Sequence, residues 1–381
     1  MGNMERILRL MAEKNASDVF ISANAPILIK ISGNSVPVNP QLMSADTCLV
    51  LLRELLSESQ MQELMYSGEM NSSFTLQGIG NYRISAMRQR GTYAAAIRYI
   101  PMAIPNLESL GLPTKVLSEL IMRQRGLVLV VGSTGSGKST SLAAMLDLRN
   151  TRTSGHILTI EEPIEFVFTN KRSIVNQREV GSDTVDRDIA LKNAMRQAPD
   201  VILIGEIRDR ETMAAALAYA QSGHLCLSTL HASNSYQALN RILNFYPEEV
   251  RPSLLGDLSS GMAAIISQRL LRTVDGKRLP ACEVLLNSRL ISELIEQGDF
   301  TGVRDAMNKS MTEGSQTFEE DIARLILDGK IGRQEGMSFA DSPTNLMWRL
   351  QNTQPTQKFE IDESGEGQEP SFSEITLDMK R

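Results

Sequence analysis

GSTGSGKST, at residues 132–140, follows the apolar run GLVLVVG and precedes the helix-like stretch SLAAMLDLRN. It fits the pattern G-x-x-x-x-G-K-[ST] without a gap, and a strand before it and a helix after it are the context that this motif requires. Its glycines let backbone N–H groups approach phosphate oxygens, and the helix N-terminus adds partial positive charge. The stretch therefore predicts a phosphate-binding loop, with a chance glycine-rich turn as the alternative.

This loop predicts the cofactors as well as the residues that hold them. Lys138 would reach the β- and γ-phosphates, and the hydroxyl of Ser139 would ligate Mg²⁺. ATP and Mg²⁺ are the predicted cofactors. The predicted nucleotide-binding residues are Ser133, Thr134, Gly135, Ser136, Gly137, Lys138, Ser139 and Thr140.

The pattern of apolar residues divides the chain of 381 residues. Near-continuous apolar runs at 126–132, 156–162, 200–206 and 224–231 alternate with helical stretches, which is typical of a mostly parallel sheet in an α/β domain. Before them, an amphipathic helix and alternating strands predict an α+β domain with an antiparallel sheet. Helical patterns are predicted near 253–271 and on to about 345. The predicted units are an N-terminal domain at 1–105, a linker at 106–113, an ATPase domain with a helical C-terminal part at 114–350 and a tail at 351–381.

Composition limits the classes of function. The net charge is −6, which argues against a protein that coats nucleic acid, because such proteins carry a basic surface. Three widely separated cysteines predict a reducing compartment without disulfides, and no apolar run reaches 18 residues, so we expect a cytoplasmic protein. From Pro355 to Arg381 there are seven acids, three bases and no periodicity, and we expect disorder there.

The run DVILIGEIRD offers two candidate acids for the edge of the sheet where a ligand would bind. Asp200 precedes the predicted strand and Glu206 follows it. Ligands of parallel α/β sheets bind at the carboxyl ends of strands, so Glu206 is the predicted carboxylate of the site and a predicted Mg²⁺ ligand, directly or through water.

The same rule applies to two other strands. HILTIEEPIEF would place Glu161, Glu162 and Glu165 at the nucleotide edge, where a carboxylate can orient or deprotonate a water molecule. A solvated acidic loop is the alternative. HLCLSTLH would place His231 over the γ-phosphate, and a structural histidine at the strand end is its alternative. His156 and His224 begin strands and are left out of the site.

Arginines are unusually close together in the N-terminal domain, at positions 83, 88, 90 and 98. In a monomer they would form a solvated face. The alternative is that a neighbouring subunit supplies them as arginine fingers to the γ-phosphate.

Four motifs in this order resemble the Walker A, Asp box, Walker B and His box of the secretion-type ATPases of type IV pili and type II secretion. They are GSTGSGKST, TIEEPIEF, VILIGEIRD and STLHASNSYQALNRILNFYP. ASDVFIS, YRISAMRQRG and AMRQAPD extend the resemblance to about residues 1–345. The absence of a tetracysteine zinc site favours the retraction branch, and MTEGSQTFEEDIARLI, SPTNLMWRLQN and the acidic tail are most similar to its accessory PilU type.

The resemblance implies a PAS-like N-terminal domain, a RecA-like P-loop ATPase domain and a homo-hexamer with active sites between subunits. It implies catalytic roles for Glu206, Glu165, His231, Arg83 and Arg98. It also implies pilus retraction and twitching motility, a PilT-type retraction ATPase as partner, an inner-membrane pilus platform protein as docking site and no nucleic acid. The protein would then be cytoplasmic and peripheral at the inner membrane.

Three departures from the family pattern bear on activity. The Asp box reads EEPIE where EDPIE is usual, so Glu162 is one methylene longer, which we expect to be tolerated. Phe20 replaces a common histidine, and SRLISELIEQG stands where the PilT type has a basic motif. The last change bears on whether the chain drives retraction independently. Two rival interpretations stay open: an accessory subunit that regulates a PilT-type motor, and a RecA-like nucleic-acid translocase, against which the acidic charge counts.

Overall fold

The computed structural model describes residues 2–31, 33–101, 103–309 and 312–352. The tail predicted to be disordered from Pro355 onward lies outside the described residues. In the part of the chain that the structure describes, no helix is both long and apolar enough to cross a membrane.

The N-terminal part is an antiparallel sheet of six strands with three helices. Its elements are α1 (Asn3–Glu13), β1 (Asp18–Ile21), β2 (Leu28–Ile31), β3 (Asn34–Pro37), α2 (Ala45–Arg53), α3 (Glu58–Ser67), β4 (Glu69–Leu76), β5 (Gly80–Gln89) and β6 (Thr92–Pro101). The sheet order is β3-β2-β1-β6-β5-β4. Met4, Leu8 and Met11 recur at helical spacing in α1 and are fully buried, because that face of the helix packs on the sheet. The predicted α+β class is confirmed.

The second part is a seven-stranded sheet between helices. Its elements are α4 (Thr114–Ile121), β7 (Gly126–Val131), α5 (Lys138–Arg152), β8 (Gly155–Glu161), β9 (Ser173–Glu179), α6 (Arg187–Ala194), β10 (Val201–Ile204), α7 (Arg210–Gln221), β11 (Leu225–Leu230), α8 (Ser235–Asn244), α9 (Arg251–Gly261), β12 (Met262–Arg272), β13 (Arg278–Leu286), α10 (Arg289–Glu296), α11 (Phe300–Asn308), α12 (Phe318–Leu327), α13 (Arg333–Phe339) and α14 (Pro343–Asn352). Short 3₁₀ turns lie at Leu107–Leu110, Met195–Gln197 and Glu248–Val250.

The order of this sheet is β13-β12-β7-β11-β10-β8-β9, and all its neighbouring strands are parallel except β12 and β13. All residues of β7, β10 and β11 are buried, which confirms the predicted strands covered on both faces. Because β7, β11, β10 and β8 are adjacent and parallel, the residues that follow them meet at one edge. We call this the nucleotide edge and the opposite side the amino edge.

One secondary-structure prediction is wrong. The helical pattern expected near 253–271 holds for α9 only up to Gly261, and Met262 then adopts extended backbone and begins the eleven-residue strand β12. The run MAAIISQ is buried throughout, and periodicity cannot separate such a run in a helix from one in a central strand. The strands β9 and β13 were also not predicted.

The segment between the two sheets packs on the second one. Leu107 and Leu112 are buried in the core formed by α4, α5 and β7. The domain boundaries at 105, 113 and 350 stay predictions.

Candidate active site

The glycine-rich loop turns directly from β7 into α5. Gly135 and Gly137 have φ angles of 78° and 92°, in the left-handed region that favours glycine. A Cβ atom built on either glycine would meet no atom within 4 Å, so the loop presents open backbone there. Gly132 differs, because a Cβ atom at that position would lie 2.4 Å from Ser136 Oγ. The loop thus has the close packing on one side and the open backbone on the other that a phosphate cradle needs.

Lys138 is the first residue of α5, and its side chain is buried. Its Nζ donates hydrogen bonds to Gly132 O at 3.0 Å and Ser133 O at 2.8 Å. Burial lowers the pKa of Lys138, and the nearby carboxylates of Glu206 and Glu165 act in the opposite direction. An ammonium group held in this way is well placed to bind an anion at the helix N-terminus.

A cavity of about 690 Å³ opens beside this loop. It gathers most of the predicted site residues, namely Arg83, Arg98, Thr134, Gly135, Gly137, Lys138, Ser139, Thr140, Glu165, Glu206 and His231. Ser133 and Ser136 belong to the loop but do not line the cavity. Ser133 contributes its carbonyl to Lys138, and Ser136 is buried behind Gly132.

Glu206 follows β10 and is fixed from two sides. One carboxylate oxygen lies 2.9 Å from His231 Nε2, and the other accepts a hydrogen bond of 2.6 Å from Arg208 Nε. The carboxylate side chain is only 18% exposed. The prediction brought Glu206 and His231 to the same edge, and the structure places them in direct contact.

The three acids of TIEEPIEF occupy three different environments. Glu161 is buried and accepts hydrogen bonds from Thr159 Oγ1 at 2.7 Å and Gln177 Nε2 at 3.1 Å. Burial raises the pKa of Glu161 to about 7, although these hydrogen bonds oppose the rise. Glu162 is exposed and forms ion pairs with two arginines, and Glu165 is exposed and lines the cavity. The cluster is therefore not a uniformly solvated loop.

Those two arginines, Arg187 and Arg208, line the cavity but were not predicted as site residues. Glu162 pairs with Arg187, and it lies 3.5 Å from Arg208 Nη1. Arg208 thus links Glu162 to Glu206. The spacing of Glu206 and Arg208 in GEIRD is the only sequence signal for this link, while Arg187 begins α6 without any motif.

Arg83 and Arg98 are directly opposed on β5 and β6, and Asp18 of β1 is opposite Arg98. The Nε atom of Arg98 lies 2.9 Å from Asp18 Oδ1. Burial raises the pKa of Asp18, but hydrogen bonds from Arg98 and Ser17 outweigh it and leave the pKa below its ordinary value. Two like charges placed directly opposite are costly, and an anion between them would relieve that cost.

Both arginines line the cavity of their own chain. Their supply by a neighbouring subunit stays a prediction. The N-terminal sheet lies against the nucleotide edge, so one chain brings its own arginines to its own glycine-rich loop. Arg88 and Arg90 do not line the cavity.

The acid and the histidines excluded from the site lie at the amino edge. Asp200 Oδ2 accepts a hydrogen bond of 2.7 Å from His156 N, and His156 Nδ1 lies 3.0 Å from Gln197 O. His224 Nδ1 lies 3.1 Å from Ser222 Oγ. Each of these groups serves a local contact, and none lines the cavity at the nucleotide edge.

The residues present fit a magnesium nucleotide. The open glycine backbone, the buried ammonium of Lys138 and the two opposed arginines suit a polyphosphate. Among the described residues, no group of three or more His, Cys, Asp or Glu side chains could hold a metal ion alone. Mg²⁺ is commonly held by one or two protein oxygens together with phosphates. The hydroxyl of Ser139 and the carboxylate of Glu206 face the cavity and are such oxygens.

A parallel sheet whose edge carries this loop, a strand-end acid and a histidine defines a P-loop protein with a RecA-like ATPase fold. Comparison with known proteins gives the family. The model of the family described as "Type II/IV secretion system protein" matches residues 3–326. The chain belongs to this family.

Relatives within the family are similar over most of their length. The chain is 44% identical over 343 residues to the type IV pilus ATPase PilU of Pseudomonas aeruginosa, covering 90% of each chain. It is 35% identical over 344 residues to the pilus retraction ATPase PilT of the same organism, covering 90% of this chain and 100% of PilT. The crystal structure of the pilus retraction motor PilT with bound ADP has a TM-score of 0.85 and 39% identity, covering 91% of this chain and 99% of that one. The predicted resemblance to the retraction ATPases is confirmed.

Proposed function

We propose that this chain is an ATPase that powers or assists type IV pilus retraction, and with it twitching motility. One observation carries the proposal. In a chain of this family, a single cavity gathers Lys138 of the P-loop, the Glu206–His231 pair and two opposed arginines. Phosphoryl transfer depends mostly on positioning and on stabilisation of charge, and these groups provide both.

The proposed roles follow the position of each side chain. Ser133, Thr134, Gly135, Ser136, Gly137, Lys138, Ser139 and Thr140 form the phosphate cradle. Ser139 and Glu206 would hold Mg²⁺, Glu206 directly or through water, and the bound ion would neutralise phosphate charge. Arg83 and Arg98 would stabilise the charge that develops on the transferred phosphoryl group.

Glu206 is the proposed proton acceptor, and Glu165 is proposed to place the attacking water. Both oxygens of Glu206 contact cationic or polar partners, His231 and Arg208. Each of these contacts uses a lone pair of Glu206, and its release would make the carboxylate a better proton acceptor. Both partners line the cavity, and His231, the partner that belongs to the His box, is proposed to couple the presence of the γ-phosphate to the release of Glu206.

The assembly proposed is a cytoplasmic homo-hexamer that docks on an inner-membrane pilus platform protein and works with a PilT-type retraction ATPase. The proposed units are an N-terminal PAS-like domain at 1–105, a linker at 106–113, an ATPase domain at 114–350 and an acidic tail at 351–381. The net charge of −6 gives no support to nucleic acid as a partner.

A second candidate is an accessory subunit whose own hydrolysis only regulates the PilT-type motor. The observation that favours it is α10, the region of the family's basic motif. This helix, RLISELIE, carries two exposed acids, Glu293 and Glu296, and one exposed base, Arg289.

One experiment tests the proposal and separates the candidates. Phosphate release is measured for the purified chain alone and mixed with a PilT-type ATPase. In cells that lack the chain, shortening of labelled pili is scored after expression of the wild type or of Lys138→Ala. A motor predicts hydrolysis by the chain alone and restored retraction with the wild type only. An accessory subunit predicts hydrolysis and retraction that depend on the PilT-type partner. Restored retraction with Lys138→Ala would contradict both.

A further inference from the structure

The four-residue loop from His231 to Asn234 joins β11 to α8, and its two ends have different surroundings. At its start, His231 contacts Glu206 in the cavity. At its end, the backbone and side chains contact Arg269 of β12, Asp341 between α13 and α14, and Glu283 of β13. None of these three residues lines the cavity. The residues that follow His231 are thus held by groups outside the site.

Arg269 holds the loop through its backbone. One guanidinium nitrogen donates to Ser233 O at 3.0 Å, and the other donates to Phe339 O at the end of α13. The guanidinium lies over the ring of Phe318, with its carbon 3.9 Å from the ring centroid. The side chain is 16% exposed. A planar, stacked guanidinium with several partners has one orientation, so it transmits displacement of any partner to the others.

Asp341 completes the connection. It accepts a hydrogen bond from Arg269, and its second oxygen accepts one of 2.8 Å from Asn234 Nδ2. Asn234 is also the N-cap of α8, where its side-chain oxygen accepts from Gln237 N at 2.9 Å. The next residue along the chain, Ser342, donates its N–H to the buried Glu319 of α12 at 2.7 Å. Asp341 is therefore fixed to the C-terminal helices.

Glu283 of β13 holds the residue that directly follows this loop. It is buried, and it accepts hydrogen bonds from Ser235 N at 2.7 Å and Ser267 Oγ at 2.9 Å. The start of α8 is thus anchored on the sheet, while Asn234, directly before it, is bonded to Asp341 of the C-terminal segment. A shift of the C-terminal helices relative to the sheet would displace Asn234 and with it the loop that begins at His231.

We propose that Arg269 and Asp341 are positioning residues that tie α12–α14 to His231 and so set the rate of ATP hydrolysis. The inference rests on the proposed function, because it assigns a regulation to the same site. Its physical basis is that a misplacement of about 1 Å can cost on the order of 10²-fold in rate even when the change lies far from the chemistry. The C-terminal helices are then the part of the chain through which the rate of this site can be changed from outside.

The test is a kinetic double-mutant cycle in the full-length chain. Asp341→Ala should lower kcat about 10-fold and leave the affinity for a fluorescent ATP analogue within about twofold, because no cavity residue is changed. In a His231→Ala background, the same substitution should have no further effect on kcat, because two residues that act through one contact are not additive. Asp341→Asn keeps the shape without the charge and should lower kcat only about threefold, a smaller loss of the same kind.

Arg349→Ala is the matched control. It breaks a 3.0 Å ion pair with Glu320 between α14 and α12 and leaves the contacts of Arg269 and Asp341 in place, so it reports the effect of a general loss of stability. We expect a lower melting temperature and a kcat within about twofold of the wild type. Arg269→Lys can take the place of Asp341→Ala in the cycle. Lysine keeps the positive charge but lacks the planar guanidinium that binds both Ser233 and Asp341.

The outcomes are distinct. Multiplicative effects of Asp341→Ala and His231→Ala would overturn the proposal, and so would an equal loss of kcat in Arg349→Ala. If Asp341→Ala does not fold, the cycles of Asp341→Asn and Arg269→Lys with His231→Ala decide by the same criterion. If His231→Ala is slow and Asp341→Ala is normal, the positioning role fails and the proposed function stands. If His231→Ala turns over at the normal rate, the proposed role of His231 fails, and this inference fails with it.

Discussion

The two edges of the seven-stranded sheet hold cavities of nearly equal size, about 690 Å³ at the nucleotide edge and about 680 Å³ at the amino edge. Both cavities are lined by basic side chains, which are Lys138 and several arginines in the first and Arg123 and Arg125 in the second. Both edges also carry an acid and at least one histidine. Volume, basic lining residues and the presence of an acid and a histidine at the edge therefore do not distinguish them.

The direction of the helices does distinguish them. At the nucleotide edge α5 begins, at Lys138, so its free N–H groups face the cavity. At the amino edge α7 ends at Gln221 and α9 ends at Gly261, and residues at both ends line the second cavity. Helix N-termini favour anions and C-termini disfavour them. The comparison teaches that strand direction, through the helices it positions, selects which of two similar cavities suits a polyphosphate.

The acids show the same difference. Asp200 and Glu206 lie at opposite ends of β10. Asp200 accepts a backbone hydrogen bond from His156, which is a local structural contact. Glu206 contacts the side chains of His231 and Arg208 at the rim of the cavity. Asp200 therefore satisfies a backbone N–H group, whereas the carboxylate of Glu206 lies where the chemistry is proposed.

Removal of a cation from each cavity should give the largest contrast. Lys138→Ala should lower turnover by about 10²–10³-fold or more, because the phosphates lose a charge in a partly buried site. Arg125→Ala, the control at the amino edge, should leave turnover within about twofold, as for a surface substitution. Steady-state phosphate release measures both. Near-normal turnover in Lys138→Ala would contradict the assignment of the loop.

Arg83→Ala should have the next largest effect, about 10–100-fold in turnover, the range expected for a lost hydrogen bond to a charged group. Because Arg83 lines the cavity of its own chain, mixing this variant with Lys138→Ala should not restore hydrolysis. Every mixed hexamer would still lack a chain that is intact at both positions. Rescue in mixed rings would show that the arginine acts between subunits.

The acidic stretch allows a comparison between neighbours. Glu165→Gln should slow turnover roughly 10-fold, less than the ~10²–10⁴ expected for a lost acid–base group, because Glu165 is proposed only to place water. Glu162→Asp should change turnover by less than about twofold, since its partners Arg187 and Arg208 form exposed ion pairs of small energy. Equal effects in phosphate-release assays would argue against separate roles.

The smallest expected effect comes from Glu161, and it is a change in the stability of the fold with pH. The pKa of Glu161 is raised from the ordinary value of 4.5 to about 7, so the folded protein binds this proton more tightly than the unfolded chain does. The resulting stabilisation is complete below about pH 4.5 and is lost as the pH rises through about 7. The melting temperature of the wild type should therefore fall relative to Glu161→Gln across this window, by a few degrees. A constant difference would contradict the raised pKa.

Much of the nucleotide edge could be predicted because strand direction alone decides it. Four buried apolar runs were enough to place Glu206 and His231 with the glycine-rich loop, since adjacent parallel strands end at one edge. β12 was missed because its run MAAIISQ is buried throughout, and such a run has no period that separates strand from helix.

Contacts between distant parts of the chain could not be predicted. Whether Arg83 reaches the cavity of its own chain depends on how the two sheets pack, and a sequence pattern does not report that packing. Arg269 and Asp341 are 72 positions apart and belong to no phosphate-binding motif, so only the folded structure joins them to His231. Arg208 was missed although it stands two residues after Glu206, because its role appears only with its partners Glu206 and Glu162.

The most direct measurement of the account's central claim is a matched substitution at the two ends of β10. Glu206→Gln and Asp200→Asn each remove one charge and keep the shape, and each variant is assayed for affinity of a fluorescent ATP analogue and for phosphate release. The account predicts that Glu206→Gln binds nucleotide normally and loses about 10²–10⁴-fold in turnover. Asp200→Asn should be within about twofold of the wild type in both. A proportional loss of affinity and turnover in Glu206→Gln, or a large loss of turnover in Asp200→Asn, would contradict the claim that the nucleotide edge alone performs the chemistry.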